Sequence, residues 1–539
     1  MHWNLPHPSG RQPVMGRNVV STSQPLAAQA GAAAFARGGN AIDAALAAAI
    51  TLTVVEPTMN GIGGDAFAQV WDGEKLHGLN ASGRAPAAWS PERFAGLEAG
   101  PGTMPARGWE SVTVPGQVAG WADLSRRFGA LPFDDLFVDA IRHARDGFPV
   151  SPVIARQWKQ GVADLHMHPG FAAFMPKGRA PEPGEIWRFP EQADTLAEIA
   201  RTKGASFYSG RLADAIIAFS QQHGGAMTHA DLANHRNAWV EPIAVDFHGY
   251  RVHEIPPNGQ GLAALLALGI LERLPYKDTA VGSAERMHLE IEAMRAAFAD
   301  THAHLADIEH MRHTPAQLLD PAYLDERARS IDPARAGRHA TGKPHSGGTV
   351  YLCAADKDGR MVSFIQSNYR GFGSGVVVPG TGIALHNRGT GFVTTPGHAN
   401  QVAGGKRPAH SIIPAFLTKD GQPVMAFGVM GGNMQAQGHV QMVLRHVIEG
   451  LNPQACSDAP RWRINDAATL TLEPTVPPHV VKGLAAMGHA PSVLAPDNLE
   501  FGSAQLVVRL PGAAEDGAAC VAAYVAGSDH RRDGQAVAA

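Results

Sequence analysis

Three short stretches carry residues able to do chemistry together. The first is HSGGTVYLCAADKDGRMVSFIQSN, residues 345–368, where two glycines run directly into Thr349. Strict alternation puts Thr349, Tyr351 and Cys353 on one strand face, DKDG supplies a turn and MVSFIQS the returning strand. A hairpin closed at that turn brings Ser367 and Asn368 beside Thr349, so a second hydroxyl or an amide can orient the threonine hydroxyl. A threonine hydroxyl alone is a poor nucleophile near neutral pH. Cleavage of the Gly348–Thr349 bond would change that, because the new α-amine, with a reference pKa of about 7.7–8.0, can take the hydroxyl proton. Gly348 leaves the carbonyl open to attack and Gly347 permits the bend, although an ordinary hairpin preceded by a loop uses the same residues.

The second stretch, AFGVMGGNMQAQGHVQMVLRHVIEG, residues 426–450, passes from an apolar strand through Gly431 and Gly432 into a helical pattern. Amides at such a turn can face a developing oxyanion, and a plain strand-to-helix turn is the competing reading. Third, in GKRPAHSIIPAF, residues 405–416, His410 and Ser411 precede another apolar strand. Either can line a ligand pocket, but neighbours on an extended chain diverge, so they do not make a serine triad.

Other chemistry-bearing residues read as structural. His288 and Glu292 share a helix face but provide only two metal ligands, and HMH at 166–168 lacks partners. GFGSG at 371–375 and GIGG at 61–64 lack the full phosphate or dinucleotide patterns and read as tight turns beside a cleft. Cys353 sits among apolar residues as a small hydrophobe. No metal or organic cofactor is expected.

The elements that must position these groups fit a large globular chain. The 539 residues are 45% hydrophobic and 17% charged, with 60 glycines, which permits a substantial core and many close backbone approaches. A net charge of −4 without a basic run gives no reason to expect nucleic acid. Cys353, Cys456 and Cys520 are too few and too scattered for a disulfide scaffold, which points to a reducing compartment. The N-terminal residues lack the apolar core of a signal peptide, and AIDAALAAAITLTVV, carrying Asp43, is too short to span a membrane. A cytoplasmic, non-membrane protein is therefore expected, and the apolar stretch reads as a buried helix running into a strand. Residues 23–50 read as two alanine-rich helices broken by RGGN, and residues 262–303 contain two long helices able to cover a sheet. The loop-like stretch 331–348 marks the functional boundary.

Over nearly its full length the chain resembles the γ-glutamyltransferase family of N-terminal nucleophile hydrolases. The resemblance is carried in order by STSQPLAAQAGAAAFARGGNAIDAALAAAITLTVVEPTMNGIGGDAF, VTVPGQVAGW, HLEIEAMRAAFAD, GGTVYLCAADKDG, NYRGFGSG and GVMGGNMQAQGHVQ. It implies an α+β fold, a four-layer αββα sandwich, and autoproteolysis into residues 1–348 and 349–539, interlocked as an αβ heterodimer and capable of pairing into a dimer of such units. It further implies a Thr349 acyl-enzyme, a supporting hydroxyl at Ser367, an oxyanion hole at Gly431 and Gly432, and a pocket serine at Ser411.

The substrate pocket departs from the family pattern. Arg84 lies two positions nearer the following Ala-Pro than the carboxylate-binding arginine of glutathione-cleaving members. Tyr369 replaces an asparagine, His410 replaces the first residue of a serine pair, and HNRGTGF has Thr390 and Gly391 where those members carry an acidic pair for the substrate α-amine. The expected reaction is transfer of a γ-glutamyl or related acyl group from a small-molecule amide to water or an amine. A glutaryl-type acylase, and a silent binding protein that keeps the fold, are the alternatives.

Overall fold

The computed structural model describes residues 10–97, 99–337, 348–465, 468–496, 498–511 and 522–539. The Gly347 half of the expected glycine bend, most of the 331–348 loop and Cys520 lie outside the described residues.

Fourteen strands build two seven-stranded antiparallel sheets. In chain order they are β1 (Val14–Gly16), β2 (Val19–Thr22), β3 (Asp65–Trp71), β4 (Leu76–Ala81), β5 (Ala238–Val240), β6 (Ile243–Phe247), β7 (Tyr250–Glu254), β8 (Gly348–Ala355), β9 (Met361–Tyr369), β10 (Ala415–Lys419), β11 (Gln422–Met430), β12 (Ser503–Arg509), β13 (Tyr524–Ser528) and β14 (Gln535–Ala538). One sheet runs β14-β2-β8-β9-β3-β4-β5 and the other β1-β13-β12-β11-β10-β7-β6.

The sheets face one another across a core that includes Phe67, Tyr351, Cys353 and Ile365 from the first and Phe416, Ala426, Val507 and Tyr524 from the second. Helices α1 (Pro25–Ala36) and α2 (Ala41–Val55) cover the outer face of the first sheet, where Val350 and Leu352 meet Ala34, Leu46 and Ile50. Helices α3 (Gly261–Leu271), α4 (Ala284–His304) and α5 (Met434–Val447) cover the second, burying Leu266, Ile291 and Val440 against Phe427 and Leu506. The result is a four-layer αββα sandwich. Because both faces of β8 are buried, its alternation sorts side chains between two cores rather than between core and water.

The helical expectations hold for residues 23–50 and 262–303, with one correction. Residues 51–55, Thr-Leu-Thr-Val-Val, continue α2 as helix instead of starting a strand. Asn40 and Asp43 form a reciprocal cap at its start, and all fifteen residues are buried, so packing on every side overrides the β preference of the branched residues. Among the described residues no helix is long and apolar enough to cross a membrane.

Candidate active site

The site begins at an irregularity in the central hairpin. Val350 pairs with Gln366, but Gly348 pairs with Tyr369, so the register slips between them and Thr349 sits in a bulge level with Ser367 and Asn368. Thr349 is fully buried, and its Oγ1 accepts a hydrogen bond from Gln435 Nε2 at 3.0 Å. Gln435, in the first turn of α5, is itself fixed because its Oε1 accepts from the Ile413 amide at 3.0 Å. A hydroxyl that accepts from an amide keeps its own proton free to donate, as a nucleophile requires.

Across the hairpin, Ser367 Oγ accepts from the Tyr369 amide at 2.6 Å. Asn368 turns away and donates from Nδ2 to the Ala384 carbonyl at 3.1 Å. Tyr369 has φ = 76°, a left-handed conformation unusual for a tyrosine, which ends the strand and lets residues 370–371 leave in a new direction.

Gly431 and Gly432 join β11 to α5 with φ = 121° and 64°, both in the region that favours glycine. A side chain at Gly431 would also lie 3.0 Å from the Gly502 Cα. Gln260 Nε2 donates to the carbonyls of Gly432 at 2.9 Å and Ser411 at 2.5 Å, tying this turn to the segment before β10. The turn therefore places backbone amides at a helix start, where negative charge is stabilised.

Two cavities lie beside this turn, Gly431 lining one and Asn433 the other. The smaller, about 340 Å³, has Tyr369, Gly391, His410, Ser411 and Asn433 in its wall, and no aspartate or glutamate among the described residues that line it. The larger, about 580 Å³, is bounded by Arg370, Gly371 and Gly431 on the side nearest the turn. Consecutive residues 369–370 thus divide between the two spaces, as do Gly431 and Asn433.

Behind the smaller cavity lies a buried polar cluster that the sequence reading did not single out. Arg388, 2% exposed, donates from Nη1 to Ser411 Oγ at 2.9 Å and lies 4.6 Å from the Tyr369 ring centroid as a cation over a π face. Among the described residues its Nε and Nη2 have no hydrogen-bond partner. Burial lowers its pKa to about 10, and the Asp65 carboxylate opposes that shift. Asp65, pushed up to about 7 by burial against the opposing charge of Arg388, accepts from the Gly116 amide at 3.0 Å and contacts His410 Nε2 at 3.2 Å. Burial, reinforced by the Arg388 charge, holds His410 well below its ordinary value and His386 down to about 3, so both rings are neutral. His410 and Ser411 diverge as extended neighbours should, one toward Asp65 and one toward Arg388.

Arg84 is not brought into this group. Its side chain is 39% exposed, and its Nη1 lies 3.3 Å from Asp307 Oδ2 and 2.9 Å from the Gly405 carbonyl. Of the other residues named from sequence, Thr349 meets Gln435 just beyond the 431–432 turn, Ser367 Oγ accepts from the Tyr369 amide, and Tyr369, His410 and Ser411 line the smaller cavity. Gln435 and Arg388 were missed. Gln435 lies three residues past Gly432, in the first turn of a helix already expected, and Arg388 stands inside the HNRGTGF stretch read only for its missing acids.

The glycine motifs act as close contacts. A side chain at Gly64 would meet Gln117 Oε1 at 2.5 Å and the Ser367 carbonyl at 2.8 Å. The His288–Glu292 pair gains a third neighbour, His489, with one potential ligand atom from each within 4.8 Å of the others. His288 Nδ1 meets His489 Nε2 at 2.8 Å, His288 Nε2 meets the Asp332 carbonyl at 2.8 Å, and Glu292 accepts from the Gly337 amide at 2.8 Å and from Arg295 at 3.2 Å. His489 Nδ1 has no hydrogen-bond partner among the described residues, so the cluster is only partly satisfied. Cys353 and Cys456 are free and buried, and burial pushes the Cys353 thiol far up, leaving it inert.

Comparison with known proteins matches residues 27–539 to the family described as gamma-glutamyltranspeptidase. The glutathione hydrolase-like YwrD proenzyme of Bacillus subtilis is 36% identical over 458 residues, 83% of this chain and 86% of that one. The oxamate amidohydrolase proenzyme of Klebsiella pneumoniae is 36% identical over 509 residues, 92% and 94% of the two chains. Among solved structures, the cephalosporin acylase from Bacillus halodurans superposes with a TM-score of 0.92 at 46% identity, covering 100% of this chain and 99% of that one.

Proposed function

This chain belongs to the gamma-glutamyltranspeptidase family, and from that membership we propose that it cuts itself between Gly348 and Thr349 and then hydrolyses amides of a carboxylate-bearing acyl group. As a member of that family it is a self-processing amidohydrolase of the N-terminal nucleophile class; the residue roles and the acyl group are our reading.

In maturation, Thr349 Oγ1 attacks the Gly348 carbonyl carbon, the C–N bond breaks as the acyl group moves from nitrogen to oxygen, and water hydrolyses the ester. Gly348 becomes a free carboxylate and Thr349 gains a free α-amine. In turnover the amine accepts the Thr349 hydroxyl proton while Oγ1 bonds to the substrate carbonyl carbon. The oxyanion is stabilised at the Gly431–Gly432 turn, and Gln435 and Ser367 keep Thr349 oriented. Collapse breaks the substrate C–N bond, the proton passes to the departing amine, and water or a second amine takes the acyl group from the ester.

One observation carries the choice of acyl group. Among its described residues the smaller cavity has no carboxylate to hold an ammonium, while Arg388 lies behind Ser411 and Tyr369 with two N–H groups unpartnered. A terminal carboxylate satisfies that guanidinium, whereas the α-ammonium of a γ-glutamyl group finds no counterion there. A glutaryl-type acyl group fits better than γ-glutamyl, the first expectation from sequence. The test compares glutaryl-p-nitroanilide with γ-glutamyl-p-nitroanilide, which differ only in the α-amine, on protein shown by N-terminal sequencing to begin a fragment at Thr349. Higher kcat/KM for the glutaryl amide is expected. Preference for the γ-glutamyl amide would overturn this reading of the pocket, and a Thr349→Ala chain that still processes would overturn the nucleophile.

A further inference from the structure

The His288–Glu292 pair, one ligand short of a metal site in the sequence, acquires its third partner from far along the chain. His288 and Glu292 stand one turn apart on the same face of α4. His489, 201 positions beyond His288, enters from the segment directly after the helix Pro478–Ala486. One donor atom from each of the three lies within 4.8 Å of the others, and all three side chains are buried. None of the three lines either cavity at the candidate active site.

The hydrogen bonds decide where the protons sit when both rings are neutral. The Asp332 carbonyl, 2.8 Å from His288 Nε2, can only accept, so Nε2 carries the proton and Nδ1 presents a lone pair. His489 Nε2, 2.8 Å from that Nδ1, then donates into it. Because His489 Nδ1 has no partner among the described residues, its proton can move from Nε2 to Nδ1 without breaking a bond there. Two imidazole lone pairs then face one another beside a carboxylate, and a cation is what such a group binds. The outer contacts are those that orient metal ligands: the Asp332 carbonyl braces His288, while the Gly337 amide at 2.8 Å and Arg295 at 3.2 Å brace Glu292. Arg295 weakens the hold on an ion by sharing the carboxylate, but it leaves the imidazole nitrogens available. Metal–ligand bonds of about 2.0–2.2 Å set donors about 3.3–3.6 Å apart in a tetrahedral site, so the two nitrogens part slightly and the carboxylate closes in.

We propose that His288, Glu292 and His489 bind a divalent transition-metal ion of the zinc class, and that this ion is structural. Two imidazoles with one carboxylate suit Zn2+ or Co2+, whereas Mg2+ and Ca2+ take oxygen ligands. Its place in the fold gives the ion a purpose. α4 precedes Gly348 and His489 follows Thr349, so after the proposed cleavage the ion joins one fragment to the other. The Ala336 amide, donating to the Met487 carbonyl at 2.8 Å, is a second tie between the same two regions. Only this bridging rests on the proposed self-processing; binding of the ion does not.

Co2+ is the probe, because its visible bands report donor set and geometry and so distinguish this site from surface histidines. Protein freed of metal by chelation should take up about one Co2+ per chain with visible absorption that Zn2+ abolishes, and Zn2+ but not Mg2+ should raise the thermal midpoint. His489→Gln should lose the bands and the shift, while His166→Gln, at an exposed histidine, keeps both. If His489→Gln fails to fold by circular dichroism, Glu292→Gln decides: it keeps an acceptor for the Gly337 amide and should weaken Co2+ binding by about tenfold or more. Absence of bands and shift in the wild type, or bands unchanged in every folded variant of the site, overturns the proposal. In processed protein Zn2+ should also raise the urea concentration at which the two fragments separate on gel filtration, and equal midpoints with and without it overturn the bridging role. An unprocessed chain that still shows the bands would sink the self-cleavage and leave the metal site standing.

Discussion

Gln435 donates from Nε2 to Thr349 Oγ1 at 3.0 Å, linking the first turn of α5 to the bulged start of β8 across the two-sheet interface. The bond fixes the hydroxyl from the side that leaves its proton free. Gln435→Glu keeps an acceptor for the Ile413 amide but removes the donor to Thr349. The barrier to its acylation step should rise by about 1–3 kcal/mol, roughly fivefold to 150-fold in rate, and self-processing should slow with it. Single-turnover rates and the half-time of fragment appearance measure both, and unchanged values would remove Gln435 from the machinery.

Arg388 and Arg84 should separate cleanly. Arg388→Met removes the cation behind the acyl cavity and should cost about 2–5 kcal/mol in kcat/KM for a carboxylate-bearing substrate, mostly through KM. Arg84→Ala breaks a partly exposed pair with Asp307, which is worth about 0.2–1 kcal/mol of stability. Steady-state kinetics on both variants decides between them. A larger kinetic loss in the Arg84 variant would return the carboxylate site to the position expected from sequence.

Glu56 makes stability depend on pH in a direction opposite to that of a paired carboxylate. Burial raises its pKa from 4.5 to about 7, against the lowering influence of Arg532 and the Ser23 hydroxyl. Between those values the native chain keeps a proton that the unfolded chain has released, so this group's contribution falls as pH rises. Asp65, also raised to about 7 by burial, acts in the same sense from a lower starting value of 3.8. Glu56→Gln should therefore flatten the change in urea midpoint between pH 5 and pH 8. An identical slope in wild type and variant would show that Glu56 is already ionised in the native protein.

The sequence exposed the parts of this site that depend on short-range order. Alternation and the DKDG turn are enough to bring residues 367 and 368 level with Thr349, because hairpin pairing is set by a turn of known length. The strand-to-helix glycine pair was legible for the same reason. Arg388 was hidden because its significance comes from Tyr369, Ser411 and Asp65, which lie 19, 23 and 323 positions away in sequence and meet it only in the folded chain. Residues 51–55 misled because branched residues favour strands, and only the complete burial of α2 shows why helix wins. The family resemblance supplied the αββα architecture; periodicity alone identified strands and helices without stacking them.

The first sheet alternates its ancestry about the proposed break. β2, β3, β4 and β5 precede Thr349, while β8, β9 and β14 follow it, and β8 is hydrogen-bonded to β2 on one side and β9 on the other. Severing one peptide bond there changes the order of the reassembly reaction without loosening the native molecule. An intact precursor regains its fold by a first-order process, but two separated pieces must find each other, so recovery after denaturation becomes second-order and dilution favours loss. Maturation thereby gives the protein a memory: a mature molecule that has once come apart does not return as readily as the precursor from which it was made.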